Sequence, residues 1–140
     1  MKNNYGGKMF AREVLAFLEK PRIARFATIG RDGYPHLVTM YFMLDGDDII
    51  MGSDRGERKV QNAEATPKGA VIIGGDPGID EAGYLIQGDL SIEDDVGHNM
   101  TLRMLYRYET EEDAEKHAAE WADSDLVVIR LKPKSVIRVY

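Results

Sequence analysis

Residues 24–44 decide the fold class: Ala24-Arg25-Phe26-Ala27-Thr28-Ile29-Gly30-Arg31-Asp32-Gly33-Tyr34-Pro35-His36-Leu37-Val38-Thr39-Met40-Tyr41-Phe42-Met43-Leu44. Ala24 to Ile29 is short and β-favouring, and Asp32-Gly33 is a strong turn signal because glycine takes positive φ without a steric penalty. A hairpin is the expectation. Its returning strand, His36 to Leu44, is apolar on both faces. Leu37, Thr39, Tyr41 and Met43 point one way and Val38, Met40, Phe42 and Leu44 the other. Such a strand is expected to be buried on both sides.

Working outward, Ala11, Val14, Leu15 and Leu18 recur at helical spacing and predict a helix over Phe10 to Glu19, ended by Pro21. After the hairpin, Asp45-Gly46-Asp47 turns the chain into a third strand, Ile49 to Ser53. Asp54 to Ala65 reads as a loop and short helix halted by Pro67. Ala70 to Gly74 is a fourth strand and Tyr84 to Ile92 a fifth, in which Tyr84, Ile86, Leu90 and Ile92 alternate with Leu85, Gln87, Asp89 and Ser91. Gly88 inside that strand predicts a bend or bulge. Helices are expected over Asn99 to Tyr108 and Glu111 to Trp121, the second with Ala114, Ala118, Trp121 and Ala122 on one face. Leu126 to Leu131 and Ser135 to Tyr140 read as two final strands. Strands outnumber helices and do not alternate strictly with them, which points to an α+β, mainly β, antiparallel barrel with peripheral helices.

Composition narrows the function classes. The chain has 140 residues, 44% hydrophobic and 30% charged, with 18 Lys and Arg against 24 Asp and Glu, for a formal net charge of −6. One domain over residues 1–140 is expected at that length. The longest uncharged stretch, Gly33 to Leu44, is too short to span a membrane. Met-Lys-Asn-Asn-Tyr-Gly-Gly-Lys at the start is not an apolar signal core, so a cytoplasmic location is expected. Zero cysteines exclude disulfides, thiol catalysis and iron–sulfur clusters. A pI near 5.1 argues against a nucleic-acid partner, which needs clustered Lys and Arg. A barrel of this size leaves much of its surface exposed, so a homodimer is expected.

The familiar catalytic signatures are missing. His36, His98 and His117 lack metal-ligand spacing and read as ordinary polar or packed side chains, so no metal site is assigned. There is no GxSxG elbow, no GxxxxGK[ST] loop, and no glycine fingerprint opening a helix. The carboxylates from Glu109 to Asp125 read as a solvated helix face, and no catalytic residue is singled out. One cluster stands out, Ser53-Asp54-Arg55-Gly56-Glu57-Arg58-Lys59, where the third strand becomes a helix. A hydroxyl at a strand end, free N–H groups at a helix start and adjacent cations can converge on a phosphate. A solvated, salt-bridged turn is the alternative that the local pattern alone favours.

From about Arg22 to Asp76, and more loosely to the C-terminus, the chain resembles the pyridoxamine 5′-phosphate oxidase-like flavin-binding split-barrel superfamily. The residues carrying the resemblance are Ala24 to Ile29, Asp32-Gly33-Tyr34-Pro35-His36, the strand Leu37 to Leu44, Asp45-Gly46-Asp47 and Met51-Gly52-Ser53. It continues through Arg58-Lys59-Val60-Gln61-Asn62, Thr66-Pro67, the strand Gly69 to Ile73, and Tyr84 to Ile92 with its central glycine. Arg103 to Tyr108 and Val127 to Pro133 resemble the closing helix and strand.

The resemblance implies a split barrel and an oxidoreductase that moves hydride between flavin mononucleotide (FMN) and a small-molecule substrate. The deazaflavin coenzyme F-420 is the alternative cofactor, and a non-enzymatic flavin-binding protein or a cofactor-free interaction module the alternative roles. It places the cofactor phosphate on Ser53, Arg58 and Lys59, and the ring edge along Thr39, Met40 and Tyr41, chiefly through backbone contacts. Backbone donors there would stabilise negative charge on a reduced ring. It implies a homodimer with the cofactor at the interface. Many FMN-binding members carry an Arg early in the second strand, where this chain has His36-Leu37. That departure is expected to weaken phosphate binding in the standard pose, with two readings of His36: it assists when protonated, or it merely caps the hairpin after Pro35, the reading favoured here. Vitamin B6 oxidation is not expected, because Arg138-Val139-Tyr140 lacks the histidine of an Arg-x-His substrate signature.

Overall fold

The computed structural model describes residues 9–140, so the N-terminal stretch read against a signal sequence lies outside the described residues. Its elements run α1 (Arg12–Leu18), β1 (Ala24–Ile29), β2 (Pro35–Met40), β3 (Met43–Asp45), β4 (Asp48–Asp54), α2 (Arg58–Ala65) and β5 (Lys68–Gly74). β6 (Gly83–Asp94), a 3-10 turn (Val96–His98), α3 (Asn99–Tyr108), α4 (Glu111–Glu120) and β7 (Leu126–Arg138) follow. All strand pairs are antiparallel, in the order β2-β1-β5-β6-β7-β4-β3. The two outermost strands are consecutive in the chain, joined only by Tyr41 and Phe42. The sheet must therefore curl until its edges meet at that covalent link, which makes an antiparallel split barrel.

The first hairpin forms as expected. Gly33 takes φ 83°, and Asp32 Oδ1 accepts from the Tyr34 N–H at 3.0 Å to close the turn. Its returning strand differs from expectation in two ways. It breaks at Tyr41-Phe42, so Met43–Asp45 pairs with β4 and only Pro35–Met40 pairs with β1. Nor is it buried on both sides, because the outer face that β2 shares with β1 and β5 is left open, with Leu37, Ile29 and Ile72 exposed. Leu37 is 66% exposed. Apolar residues on both faces of one strand do not distinguish a central strand from an edge strand whose outer face is left for another surface.

The C-terminal strands show the opposite departure. Expected as two, they form one continuous β7 through Pro133. The β6–β7 register shifts between Gln87 and Gly88, pairing Gln87 with Ser135 and Gly88 with Pro133. That bulge lets a residue without an N–H sit inside a ladder. It also explains Gly88, where a Cβ would collide with the Lys132 carbonyl oxygen.

Inside the barrel Phe26, Phe42, Ile49, Met51, Ile73, Ile86, Ile129 and Leu131 are buried together. A smaller cluster, Met43, Ile50, Met104 and Val128, packs α3 onto the outside of β4 and β7. α2 is tied to β1 by Asn62, whose amide donates to Thr28 Oγ1 at 3.1 Å with both groups buried. On α4 only Ala114 of the expected apolar face is buried. Trp121 is 37% exposed, and that face borders a cavity instead of the core. No described helix is long and apolar enough to cross a membrane.

Candidate functional site

A cleft of about 350 Å³ opens where the C-terminal end of β4, the start of α2, the end of β2 and the helix α3 meet. Its wall includes Thr39, Met40 and Tyr41 from the β2 end and junction, Ser53 from β4, and Lys59 from α2. Met104, Leu105, Leu126 and Trp121 give it an apolar side. Five of the six residues expected at a cofactor site therefore share one concavity. The sixth does not. Arg58 lines a neighbouring depression of about 300 Å³ with Arg31, His36, Gln61 and Asn62. Adjacent residues on a helix point about 100° apart, so Arg58 and Lys59 diverge at the same helix start. His36 accompanies Arg58, and its Nδ1 is buried without a hydrogen-bond partner.

Two features suit the Lys59 end to an anion. α2 begins with no side-chain cap, and while the Val60 N–H donates to the Glu57 carbonyl at 3.1 Å, the Arg58 and Lys59 N–H groups at the helix start have no intrahelical acceptor. Ser53 presents a hydroxyl at the strand end, now donating to the Asp54 carbonyl at 3.0 Å. Against them stand the Asp54 and Glu57 carboxylates on the same wall. Arg55, third cation of the sequence cluster, turns away to pair with Asp94 and Asp125. Its guanidinium is held charged chiefly by hydrogen bonds to Asp125 and then Asp94.

Above β4, α3 is fixed by Asp95, a buried carboxylate missing from the expected set. It accepts from the Met100 and Thr101 N–H groups, each at 2.9 Å, and from Thr101 Oγ1 at 2.6 Å. This caps the helix and orients Thr101, which lines the cleft. A Cβ on Gly52 would lie 3.3 Å from Met104 Cε and 3.4 Å from Thr101 Oγ1, so α3 covers β4 closely.

The other missed residues form a chain behind Tyr41. The Tyr41 hydroxyl donates to Glu109 Oε2 at 3.0 Å, and Glu109 Oε1 lies 2.6 Å from His117 Nδ1. The Tyr41 ring stacks on Tyr108 at 4.1 Å with the planes 4° apart, and His117 stacks on Trp121 at 5.5 Å. The Tyr108 hydroxyl accepts from the Phe42 N–H at 3.0 Å and sits 2.6 Å from the Arg22 carbonyl, pinning the β2–β3 junction. Burial, then the hydrogen bond to Glu109, pushes the Tyr41 phenol up from its ordinary pKa. Glu109 corrects the sequence reading, which made it part of a solvated face: its side chain is only 13% exposed. It falls in the two-residue link between α3 and α4, with extended backbone, and so turns inward where the helix pattern stops. Glu109 and His117 stand eight positions apart, but the break between the helices left that spacing without meaning in the sequence.

The family model for pyridoxamine 5′-phosphate oxidase matches residues 10–140. The chain belongs to that family. Among solved structures, this family member is similar to an F-420 reductase, at 24% identity and a TM-score of 0.70, over 87% of this chain and 94% of that one. It is also similar to a conserved hypothetical protein from Mycobacterium tuberculosis, at 21% identity and a TM-score of 0.75, over 99% and 89% of the two chains. The heme storage protein HutZ from Vibrio cholerae matches at 14% identity and a TM-score of 0.69, over 93% and 94%. At these identities the likenesses show a shared fold. No curated protein matches the chain.

Proposed function

We propose that this family member is an oxidoreductase holding FMN in the cleft between β2, β4, α2 and α3, and passing hydride between it and a small-molecule substrate. One observation carries the reading: Thr39, Met40, Tyr41, Ser53 and Lys59, drawn from three separate parts of the chain, meet on one wall. The residues present fit such a cofactor. Lys59, Ser53 and the uncapped N–H groups of α2 would hold the phosphate, and Met40, Met104, Leu105 and Trp121 would bury a flat ring. When bound, the flavin supplies the hydride chemistry, and the protein supplies binding, orientation and electrostatics.

The outer face of β2, β1 and β5 supports the homodimer. Leu37, Ile29 and Ile72 are exposed there, and a second copy would cover them and extend an open cleft of about 350 Å³ around the ligand.

A second reading, coenzyme F-420 in the same cleft, is favoured by the split between Arg58 and Lys59. Among the described residues Lys59 is the one cation on the cleft wall, which suits a singly charged phosphodiester, and a carboxylate tail would extend toward Arg58.

The test is the visible and fluorescence spectrum of protein purified from a host that makes both cofactors, followed by reduction with a nicotinamide nucleotide. Bound, reducible flavin is expected. A bound cofactor that no nicotinamide, quinone or nitro compound turns over would make this a storage protein. A colourless protein that ignores added FMN and F-420 would contradict the reading.

A further inference from the structure

The chain from Tyr41 through Glu109 to His117 joins the cleft to the surface. Tyr41 lines the cleft, Glu109 is 13% exposed, and the His117 side chain is 37% exposed. Each joint is within hydrogen-bond distance, 3.0 Å and 2.6 Å. The backbone holds the middle of the chain in place: α3 ends at Tyr108, and Thr110 Oγ1 caps α4 by accepting from the Asp113 N–H at 3.2 Å. A part-buried carboxylate set between a residue of the cleft lining and one that reaches water is costly for packing alone, and Tyr41 and His117 together satisfy it.

We propose that Tyr41, Glu109 and His117 form a proton relay from solvent to the cleft, in which Tyr41 hands a proton to the acceptor that takes hydride there. The inference rests on the oxidoreductase reading for its substrate, and on this chain's own contacts for its path. Its acceptor class is a carbonyl, quinone or electron-poor alkene, whose reduction needs one hydride and one proton. A bound, reduced cofactor would supply the electron pair as hydride to one end of the acceptor's π system, a carbon or, in a quinone, an oxygen. The proton leaves the Tyr41 hydroxyl for the other end of that π system. Glu109, after taking a proton from His117, restores the Tyr41 proton by turning its carboxyl, and His117 is reprotonated by water. While Glu109 is ionised it holds the Tyr41 O–H away from the cleft, and once neutral it releases it. Tyr41 is then the catalytic residue, with Glu109 and His117 as positioning residues.

Several other ionisable groups lie on the elements that meet the relay. Tyr108 and Arg107 come from α3, Asp113 and Glu120 sit one turn either side of His117 on α4, and Asp54, Glu57 and Lys59 line the cleft. Arg107 is occupied by the Leu18, Glu19 and Lys20 carbonyls at the end of α1.

The chain's one tryptophan, stacked on His117, gives a readout that needs no turnover. Emission from Trp121 is expected to change in one step with pH. His117→Gln abolishes that step, and Tyr41→Phe displaces it along the pH axis because both groups share one carboxylate. A flat emission profile, or a step that Tyr41→Phe leaves in place, overturns the relay as a connected path. In stopped flow, protein loaded with FMN and reduced by dithionite is re-oxidised with menadione in ordinary and deuterated water. Tyr41→Phe and Glu109→Gln, each measured at saturating FMN, are expected to slow this about ten-fold or more and to flatten its pH profile. Wild-type rates and profiles in both variants would overturn the relay and leave the proposed function standing. A wild-type protein that binds FMN and is not re-oxidised would overturn the oxidoreductase reading itself, and with it the delivery role.

Discussion

The seam between β6 and β7 and the cleft under α3 draw on the chain in different ways. At the seam, Gly88 and Pro133 each break a local rule, a glycine inside a strand and a proline inside a ladder, and the two breaks face each other across one register shift. In the cleft no residue breaks a rule. Thr39, Ser53, Lys59, Thr101 and Trp121 are ordinary for their strands and helices, and only their convergence is unusual. A structural device can thus be written in residue types, whereas this site is written in distances between residues far apart in sequence. The two regions should also fail differently, one through stability and the other through binding.

The largest expected effect is Gly88→Ala. A Cβ there meets the Lys132 backbone, which cannot give without moving β7, so a loss of about 3 kcal/mol is expected, roughly 10 °C in Tm. Thermal unfolding checks this, and whatever protein still folds should bind FMN normally. An unchanged Tm would mean that the bulge absorbs a side chain and the seam is not the constraint described.

Next comes Lys59→Ala, which should weaken FMN binding by about 10- to 100-fold, because a charge-assisted hydrogen bond contributes roughly 1.5–3 kcal/mol. Tm should hold. Arg58→Ala should cost far less for FMN, since Arg58 faces the neighbouring depression. Fluorescence titration of both variants sharpens the contrast, and equal losses would show that the two concavities act as one site.

Glu57→Gln should act in the opposite direction. Removing a carboxylate from the wall proposed to receive the phosphate should tighten binding by a few-fold, about 0.5–1 kcal/mol. Weaker binding in that variant would mean that Glu57 contacts the ligand favourably.

The smallest effect concerns pH. The folded Tyr41 phenol titrates above its ordinary value near 10, so the native state holds that proton more tightly than the unfolded chain. Its stabilising contribution is therefore complete below pH 10 and lost as pH rises through the folded value. Ultraviolet titration of phenolate should show a component above pH 10 that Tyr41→Phe removes. A component lost at or below pH 10 would contradict the burial described.

Legibility follows the same division. The Asp32-Gly33 hairpin, the alternation of β6, the Gly88 bulge and the limits of α3 depend on neighbours in sequence, and all were readable there. The β2 strand was misread because an outer face left bare by this chain has the same apolar residues as a buried one. β7 was cut in two at Pro133 because the glycine that accommodates it lies on another strand. In the cleft, Ser53 and Lys59 share a wall, as the resemblance implies, whereas the local strand-to-helix pattern alone reads as a solvated turn. Asp95, Glu109 and His117 were not legible, since their roles depend on which helix ends meet. The resemblance puts Arg58 and Lys59 on one phosphate, and adjacency in sequence does not reveal that the two side chains face different concavities.

The most direct test of the central claim is the location of the ligand. With methionine ε-methyl groups labelled with 13C, the chain offers Met40 and Met104 on the cleft wall and Met51 inside the barrel as an internal control. Adding FMN should shift the Met40 and Met104 methyl resonances with one saturable dependence and leave Met51 in place. Saturable binding that leaves Met40 and Met104 unmoved, or no binding of either FMN or F-420, would contradict the account.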